Sequence, residues 1–129
     1  MIAGKIVALE RLIATSPALA NVPFVKVAGR PVSPSEVLNM LRAGLNVKEI
    51  LSALASIGMD EPWEEAEEFW RRQAAVSPER PKIYALAQYV PAMTPSQAYE
   101  HVRRRDDVGE TLVRAYSTLL EFMRLRINL

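Results

Sequence analysis

The residues of this sequence best suited to binding a ligand are basic side chains, and they occur in two groups. One group is spread through the N-terminal half, and the other is an unbroken run of three arginines. Arginine and lysine neutralise phosphates, and contact with a nucleic-acid backbone requires no reading of bases. The candidate contacts to a DNA backbone are Lys5, Arg11, Lys26, Arg30, Arg42, Lys48, Arg103, Arg104 and Arg105. For the run of three, local ion pairs with Asp106 and Asp107 are the alternative.

The sequence offers little for catalysis. It has no cysteine and one histidine, His101, which lies beside the arginine run. No phosphate-cradling glycine loop, HExxH motif or serine elbow occurs. The acids of residues 60–68 are more typical of a solvated helix face than of a cation site, because catalytic carboxylates need a cleft and a partner. We therefore expect a protein that is not an enzyme, with no catalytic residues, no cofactor and no metal.

Charge is close to neutral overall but differs along the chain. The formal net charge is +1. Residues 1–58 carry six basic and three acidic side chains (+3), residues 59–80 carry three and seven (−4), and residues 81–129 carry seven and five (+2). An acidic outer face can therefore offset a basic inner face in one chain. Half of the residues are hydrophobic, but no apolar run approaches the about 20 residues of a membrane span, so we expect a globular protein without one.

Most of the elements that carry these side chains are predicted to be helices. The first helix is predicted over residues 4–15. Residues 16–34 contain four prolines and one glycine, which break a helix. Residues 24–27 (FVKV) could form a short strand, but no partner is evident in the sequence. The segment is therefore predicted to be an extended arm.

Capping signals mark the next two helices. Residues 33–36 (SPSE) form a capping box with proline at the first helical position, and Gly44 ends that helix. Asn46 with Glu49 repeats the N-cap signal, and Gly58 ends the second helix. The short glycine turn between them predicts two antiparallel neighbours.

The third predicted helix starts at Asp60 and is strongly acidic in its first turns. Its arginines come late, which matches the helix dipole. Glu67 with Arg71 and Glu68 with Arg72 have the i,i+4 spacing at which side chains on one helix face meet.

Three further helices are predicted in the C-terminal part. One covers residues 77–90, and residues 94–97 (TPSQ) form a second capping box. Asp107 with Glu110 is predicted to cap the last and longest helix. The fold class is therefore all-α.

An internal repeat links the two capping boxes. Sliding the chain by 61 residues places residues 33–51 on residues 94–112 without a gap, and Arg42 falls on Arg103. One interpretation is a duplicated helical hairpin. The other is that helix caps resemble one another in all proteins.

The predicted organisation has two parts. Residues 1–32 form an N-terminal helix and proline-rich arm, and residues 33–129 form a compact bundle of about five helices. The bundle contains the two hairpins that the repeat relates.

The first hairpin raises the question of a helix-turn-helix that reads DNA. Its glycine turn and apolar spacing fit that motif. A recognition helix must offer donors and acceptors to base edges. Residues 47–57 offer only Lys48, Ser52 and Ser56, and Glu49 would be repelled by phosphate. Sequence-specific reading is therefore the weaker interpretation, and backbone contact is the stronger one.

The organisation of the whole chain resembles the major coat proteins of filamentous viruses of hyperthermophilic archaea. The resemblance is carried by the N-terminal helix, the connector SPALANVPFVKVAGRPVSP (residues 16–34) and the helices from Ser33 onward. It implies an almost entirely helical protein whose subunits dimerise, often as two related coat proteins. It also implies arms that wrap double-stranded DNA, held in A-form, inside a helical filament. The absence of cysteine and the nine prolines agree with a heat-adapted source.

Three hypotheses follow for the function. The leading one is a capsid protein: a structural filament subunit of the virion that wraps double-stranded DNA and packs against like or related subunits. The second is a small cytoplasmic helix-turn-helix regulator. The third is a helical adaptor or small subunit of a larger RNA-guided complex. The candidate anchors of a subunit interface are Trp63, Phe69 and Trp70.

Overall fold

The computed structural model of the chain describes residues 2–76 and 93–128. The helices in these ranges are α1 (Ile2–Thr15), α2 (Pro34–Arg42), α3 (Val47–Ala55), α4 (Trp63–Val76), α5 (Pro95–Arg104) and α6 (Asp107–Asn128). The strands are β1 (Val25–Val27) and β2 (Arg30–Val32). The all-α class is confirmed for the described residues, apart from this one pair of short strands. The helix predicted over residues 77–90 lies outside them.

Contacts within the chain define two compact units. The first unit is Met1–Asp60 together with Leu119–Leu129, and the second unit is Glu61–Thr118. Helix α6 therefore supplies its C-terminal turns to the first unit and its N-terminal turns to the second. The boundary predicted between residues 32 and 33 falls inside the first unit, so the proline-rich segment and the first helical hairpin are packed together.

The proline-rich segment contains a β-hairpin, and the expectation that it lacks a strand partner is wrong. β1 and β2 pair antiparallel, with Val25 opposite Val32 and Val27 opposite Arg30. The three valines are buried. The sequence pattern does not predict this pairing, because β2 is only three residues long and contains Pro31, which cannot donate to the ladder.

Two residues in the left-handed conformation make the hairpin turn. Ala28 has a φ of 54° and Gly29 a φ of 76°. Positive φ at both central positions gives the turn type whose twist matches that of the flanking strands. Glycine adopts this conformation freely, whereas alanine adopts it at a cost. Contacts at the tip must therefore help to hold the turn.

Apolar side chains from every element of the first unit fill its core. Their burial is the main stabilising contribution, at about 1.5–3 kcal/mol for each large side chain. The largest fully buried side chains of this unit are Leu9, Pro23, Phe24, Val27, Val37, Ile50, Leu54, Ile57, Leu120, Met123 and Ile127.

Both predicted capping boxes at α2 and α5 are confirmed. The Ser33 hydroxyl accepts the Glu36 N–H at 3.4 Å, and the Glu36 carboxylate accepts the Ser33 N–H at 3.1 Å. The Thr94 hydroxyl accepts the Gln97 N–H at 3.2 Å, and the Gln97 side chain accepts the Thr94 N–H at 2.9 Å. Each box satisfies two backbone donors that the first turn of a helix leaves unpaired.

The start of α3 departs from the prediction. Gly44 ends α2 with a φ of 72°, as predicted. Asn46, however, has a φ of 51° and its side chain makes no capping hydrogen bond. A side-chain cap needs an extended backbone at the cap position. The prediction that Asn46 and Glu49 form a capping box is therefore wrong.

In the second unit α5 and α6 meet at a tight corner. Arg105 ends α5 in the left-handed conformation, with a φ of 56°. The Asp106 carboxylate accepts the Gly109 N–H at 2.8 Å, so the cap is one residue earlier than the predicted Asp107. Gly109 lies so close to α5 that an added Cβ would overlap the His101 carbonyl group.

The 61-residue offset also relates conformations, not only residue types. Leu41 and Val102 occupy matching positions and are both buried. Gly44 and Arg105 occupy matching positions and are both left-handed. The two helical hairpins thus share caps, a buried position and a turn conformation, and their origin by duplication stays a prediction.

We expect Gly109→Ala to lower the free energy of unfolding by about 1–3 kcal/mol, because a Cβ at this position must push α6 away from the α5 backbone. Urea denaturation followed by circular dichroism measures the change. Gly4→Ala is the matched control, because Gly4 lies in α1 with no neighbouring atom within 4 Å of an added Cβ. Equal stabilities of the two variants would contradict the close approach.

Candidate nucleic-acid interface

The tip of the hairpin is bound to the first turn of α3. The Ala28 N–H donates to both carboxylate oxygens of Glu49, at 3.0 Å and 3.2 Å. Glu49 is the third residue of α3, and in a capping box it would turn back to Asn46. Here its carboxylate joins two segments that are 21 residues apart in the sequence.

Three exposed basic residues lie within two positions of Ala28 or Glu49 in the sequence. Arg30 follows Ala28 by two residues, Lys26 precedes it by two, and Lys48 is the neighbour of Glu49. Arg30 and Lys48 make no side-chain hydrogen bond or ion pair to a described residue. We call Lys26, Arg30 and Lys48 the tip cluster. Its three positive charges and the one negative charge of Glu49 give a formal charge of +2.

Other predicted contacts in the first unit hold helices together. Lys5 donates to the Asn128 side-chain oxygen at 2.6 Å and thereby ties α1 to the end of α6. Arg42 at the end of α2 pairs with Glu10 of α1 at 2.5 Å. Arg11 is exposed on α1, and its side chain bonds no described residue. Lys5 and Arg42 therefore have partners within the chain, whereas Arg11 has none among the described residues.

The three consecutive arginines have three different partners in the second unit. Arg103 pairs with Glu100 at 2.8 Å, and Arg104 lies 3.8 Å from the Asp106 carboxylate. The Arg105 guanidinium lies 4.9 Å from the centre of the Trp63 ring. The predicted local pairing is thus confirmed for Arg104 with Asp106.

The Asp106 carboxylate has closer partners than Arg104. The Gly109 N–H and the His101 ring, whose Nδ1 is 2.7 Å from Asp106 Oδ2, hold the pKa of Asp106 below its ordinary value. Asp106 therefore caps α6 and anchors His101 at the same time. This role in the corner explains why a lone histidine lies beside the arginine run.

The aromatic residues predicted as interface anchors differ in exposure. Trp70 is only 5% exposed and belongs to the core of the second unit, which corrects its predicted place on a contact surface. Phe69 is half-buried and packs edge-on against Trp70, with ring centres 5.0 Å apart. Trp63 is half-buried under Arg105 and donates its ring N–H to Glu61 at 2.8 Å. An interface role stays a prediction for Trp63 and Phe69.

Within the acidic face of α4, Glu68 is paired with two arginines of the same helix. Glu68 accepts hydrogen bonds from Arg71 and from Arg72, each at 2.7 Å. The pairing with Arg72 is as predicted, whereas Arg71 binds Glu68 instead of Glu67. The bond from Arg71, with the further bond from Arg72, lowers the pKa of Glu68 to about 2 against the opposing effect of burial. Among the described residues, no group of three or more histidine and acidic side chains is placed to hold a metal ion.

Comparison of the chain with protein-family models, with curated proteins and with solved structures finds no match. Within the described ranges, no helix combines the length and the apolar character needed to cross a bilayer. The hydrogen bond between Ala28 and Glu49 joins the two segments that carry the exposed basic residues of the tip cluster. Its chemistry suits an anion such as a phosphate, because arginine and lysine donate several hydrogen bonds and carry full charge.

We expect Glu68→Gln to flatten the dependence of stability on pH between 4.5 and about 2. The folded pKa of Glu68 lies below its ordinary value of 4.5, so its ion pairs stabilise the protein fully above that pH and are lost as the pH falls towards about 2. Thermal melts across this range measure the effect. Asp60→Asn is the control, because Asp60 is exposed and bonds no described residue. A wild-type pH profile in the Glu68→Gln variant would contradict the assignment.

Proposed function

We propose that the protein is a non-enzymatic structural subunit that binds the backbone of double-stranded DNA without sequence preference. The observation that carries the proposal is the tip cluster, in which Arg30 and Lys48 are exposed and have no ion-pair partner among the described residues. Basic side chains whose charge is not already neutralised attract phosphate most strongly. Contact with phosphates positions a protein on DNA without reading its sequence.

The start of α3 adds to the attraction for phosphate. Asn46 does not cap α3, and no side chain of a described residue accepts from the N–H groups of its first turn. A helix N-terminus carries a partial positive charge and suits anions. Lys48 lies in this turn, and the Glu49 carboxylate is bound to Ala28. Glu49 keeps its negative charge, and its bond to Ala28 fixes where that charge lies.

Assembly with like or related subunits into a virion filament is the second part of the proposal. Its support is the number of large apolar side chains on the surface of the first unit, which would be covered in an assembly. These exposed side chains are Ile2, Val7, Leu45, Met59, Phe122 and Leu125.

A helix-turn-helix regulator is the second candidate function. The left-handed Gly44 between α2 and α3 favours it, because this motif joins two helices by a short turn containing glycine. The exposed side chains of α3 include Lys48 and Ser52, with Ser56 at its C-cap, and they offer few contacts to base edges. Selection of bound sequences from a random duplex pool separates the two functions, since only the regulator enriches one sequence.

We expect the double variant Arg30→Ala with Lys48→Ala to bind duplex DNA more weakly than wild type. The slope of log affinity against log salt should fall by about 0.9 for each lost phosphate contact. Fluorescence anisotropy with random-sequence duplexes at several salt concentrations measures both quantities. The control is Arg42→Ala with Arg103→Ala, which removes two positive charges that are paired with carboxylates. Equal slopes for the two double variants would show that net charge alone governs binding.

We expect the protein mixed with linear duplex DNA to form filaments in the electron microscope. Exposed apolar side chains then pack between subunits while the tip clusters hold phosphates. The same protein without DNA, and DNA without protein, are the controls. Discrete monomers or dimers on DNA at every protein concentration would contradict the filament and leave backbone binding to be judged by the salt dependence.

A further inference from the structure

We infer that Glu49 is a positioning residue, which holds the hairpin so that Arg30 and Lys48 reach the same phosphate segment. The inference rests on the proposed function, because it concerns the geometry of the same site. It assigns a binding role to an acidic residue whose charge alone would oppose phosphate.

The hairpin needs an anchor at its tip. A two-stranded hairpin is marginally stable by itself. Each strand here has three residues, and Pro31 removes one donor from the ladder. The base of the hairpin is fixed, since the Phe24 N–H donates to the Val32 carbonyl oxygen at 2.9 Å. At the tip, Ala28 holds a left-handed conformation that costs energy for a residue other than glycine. The bond from its N–H to Glu49 supplies the restraint.

The helix side of this bond is fixed by the core. Ile50 follows Glu49 directly and is fully buried, as is Leu54 one turn later. The backbone at Glu49 is therefore part of a packed helix, and its carboxylate is a fixed acceptor for the hairpin. Lys48 is on the same turn of α3, and Arg30 begins the strand that leaves the tip. One hydrogen bond thus ties the hairpin that carries Arg30 to the helix turn that carries Lys48.

The charge of Glu49 makes the inference testable. As an anion beside three cations, Glu49 weakens the attraction for phosphate. As an acceptor, it orders the cations that bind phosphate. These two effects have opposite signs on DNA affinity. They can be separated by comparing variants of equal charge that differ only in their ability to accept the Ala28 N–H.

Three variants at position 49 and one matched control pair form the experiment. Glu49→Gln removes the charge and keeps an oxygen acceptor of the same reach, whereas Glu49→Ala removes both. Glu49→Asp keeps the charge with a side chain that is one methylene shorter. The control pair is Glu121→Gln and Glu121→Ala, since Glu121 is an exposed acid on α6 with only a 4.0 Å contact to Arg124. Affinity for a random-sequence duplex and exchange of the Ala28 amide hydrogen are measured for each folded variant.

We expect Glu49→Ala to bind DNA at least about threefold more weakly than Glu49→Gln, because glutamine keeps a neutral, exposed hydrogen bond from the Ala28 N–H that alanine cannot accept. Glu49→Asp should bind more weakly than wild type at the same charge. The Ala28 amide should exchange faster in Glu49→Ala and Glu49→Asp than in wild type. The two Glu121 variants should bind DNA equally.

Equal affinity of Glu49→Ala and Glu49→Gln, with DNA binding by the wild type intact, would overturn the positioning role alone. Absence of DNA binding by the wild-type protein would overturn the proposed function together with this inference. Should Glu49→Ala fail to fold, the comparison of Glu49→Asp with wild type decides the question, because equal affinities there would also overturn the role.

Discussion

A single backbone N–H at the tip of a small hairpin, that of Ala28, donates to the Glu49 carboxylate at the start of α3. The arrangement of the basic surface depends on this bond. The hairpin is too short to hold itself, while the helix is fixed by buried leucine and isoleucine side chains. The bond thereby connects the packed core of the first unit to the hairpin, whose strand β2 begins at Arg30. The conformation of the hairpin tip is therefore held by a helix whose own position is fixed by the buried Ile50 and Leu54.

Ion pairing within the chain decides which basic residues remain for a ligand. Arg42 is paired with Glu10 and Arg103 with Glu100, and each pair lies at the surface, where it contributes little to stability. Their larger effect is on the field outside the protein, because a paired arginine attracts a distant phosphate weakly. Arg30 and Lys48 differ in having no such partner among the described residues. A nearly neutral chain can in this way retain a locally positive surface.

The two helical hairpins related by the 61-residue offset differ at the first turn of their second helices. Lys48 in the first corresponds to Gly109 in the second. Lys48 is exposed beside the hairpin tip, whereas Gly109 is buried against the carbonyl group of His101. A lysine at position 109 could not be accommodated there, so the second corner is adapted to close helix packing. At the first corner, Asn46 makes no capping hydrogen bond and Lys48 is exposed.

Sequence alone determined the features that depend on neighbours within about one helical turn. The helical class, the capping boxes at Ser33 and Thr94 and the left-handed Gly44 all belong to this set. Tertiary structure decided the pairing of β1 with β2, the partner of Glu49 and the stacking of Arg105 on Trp63. The contacts of Glu49 and Arg105 join residues far apart in the sequence, whereas the two strands pair across a two-residue turn. In each case the same residue types allow several partners. Only the packing of the cores fixes which partner comes within reach, and for Glu49 that partner is the Ala28 N–H.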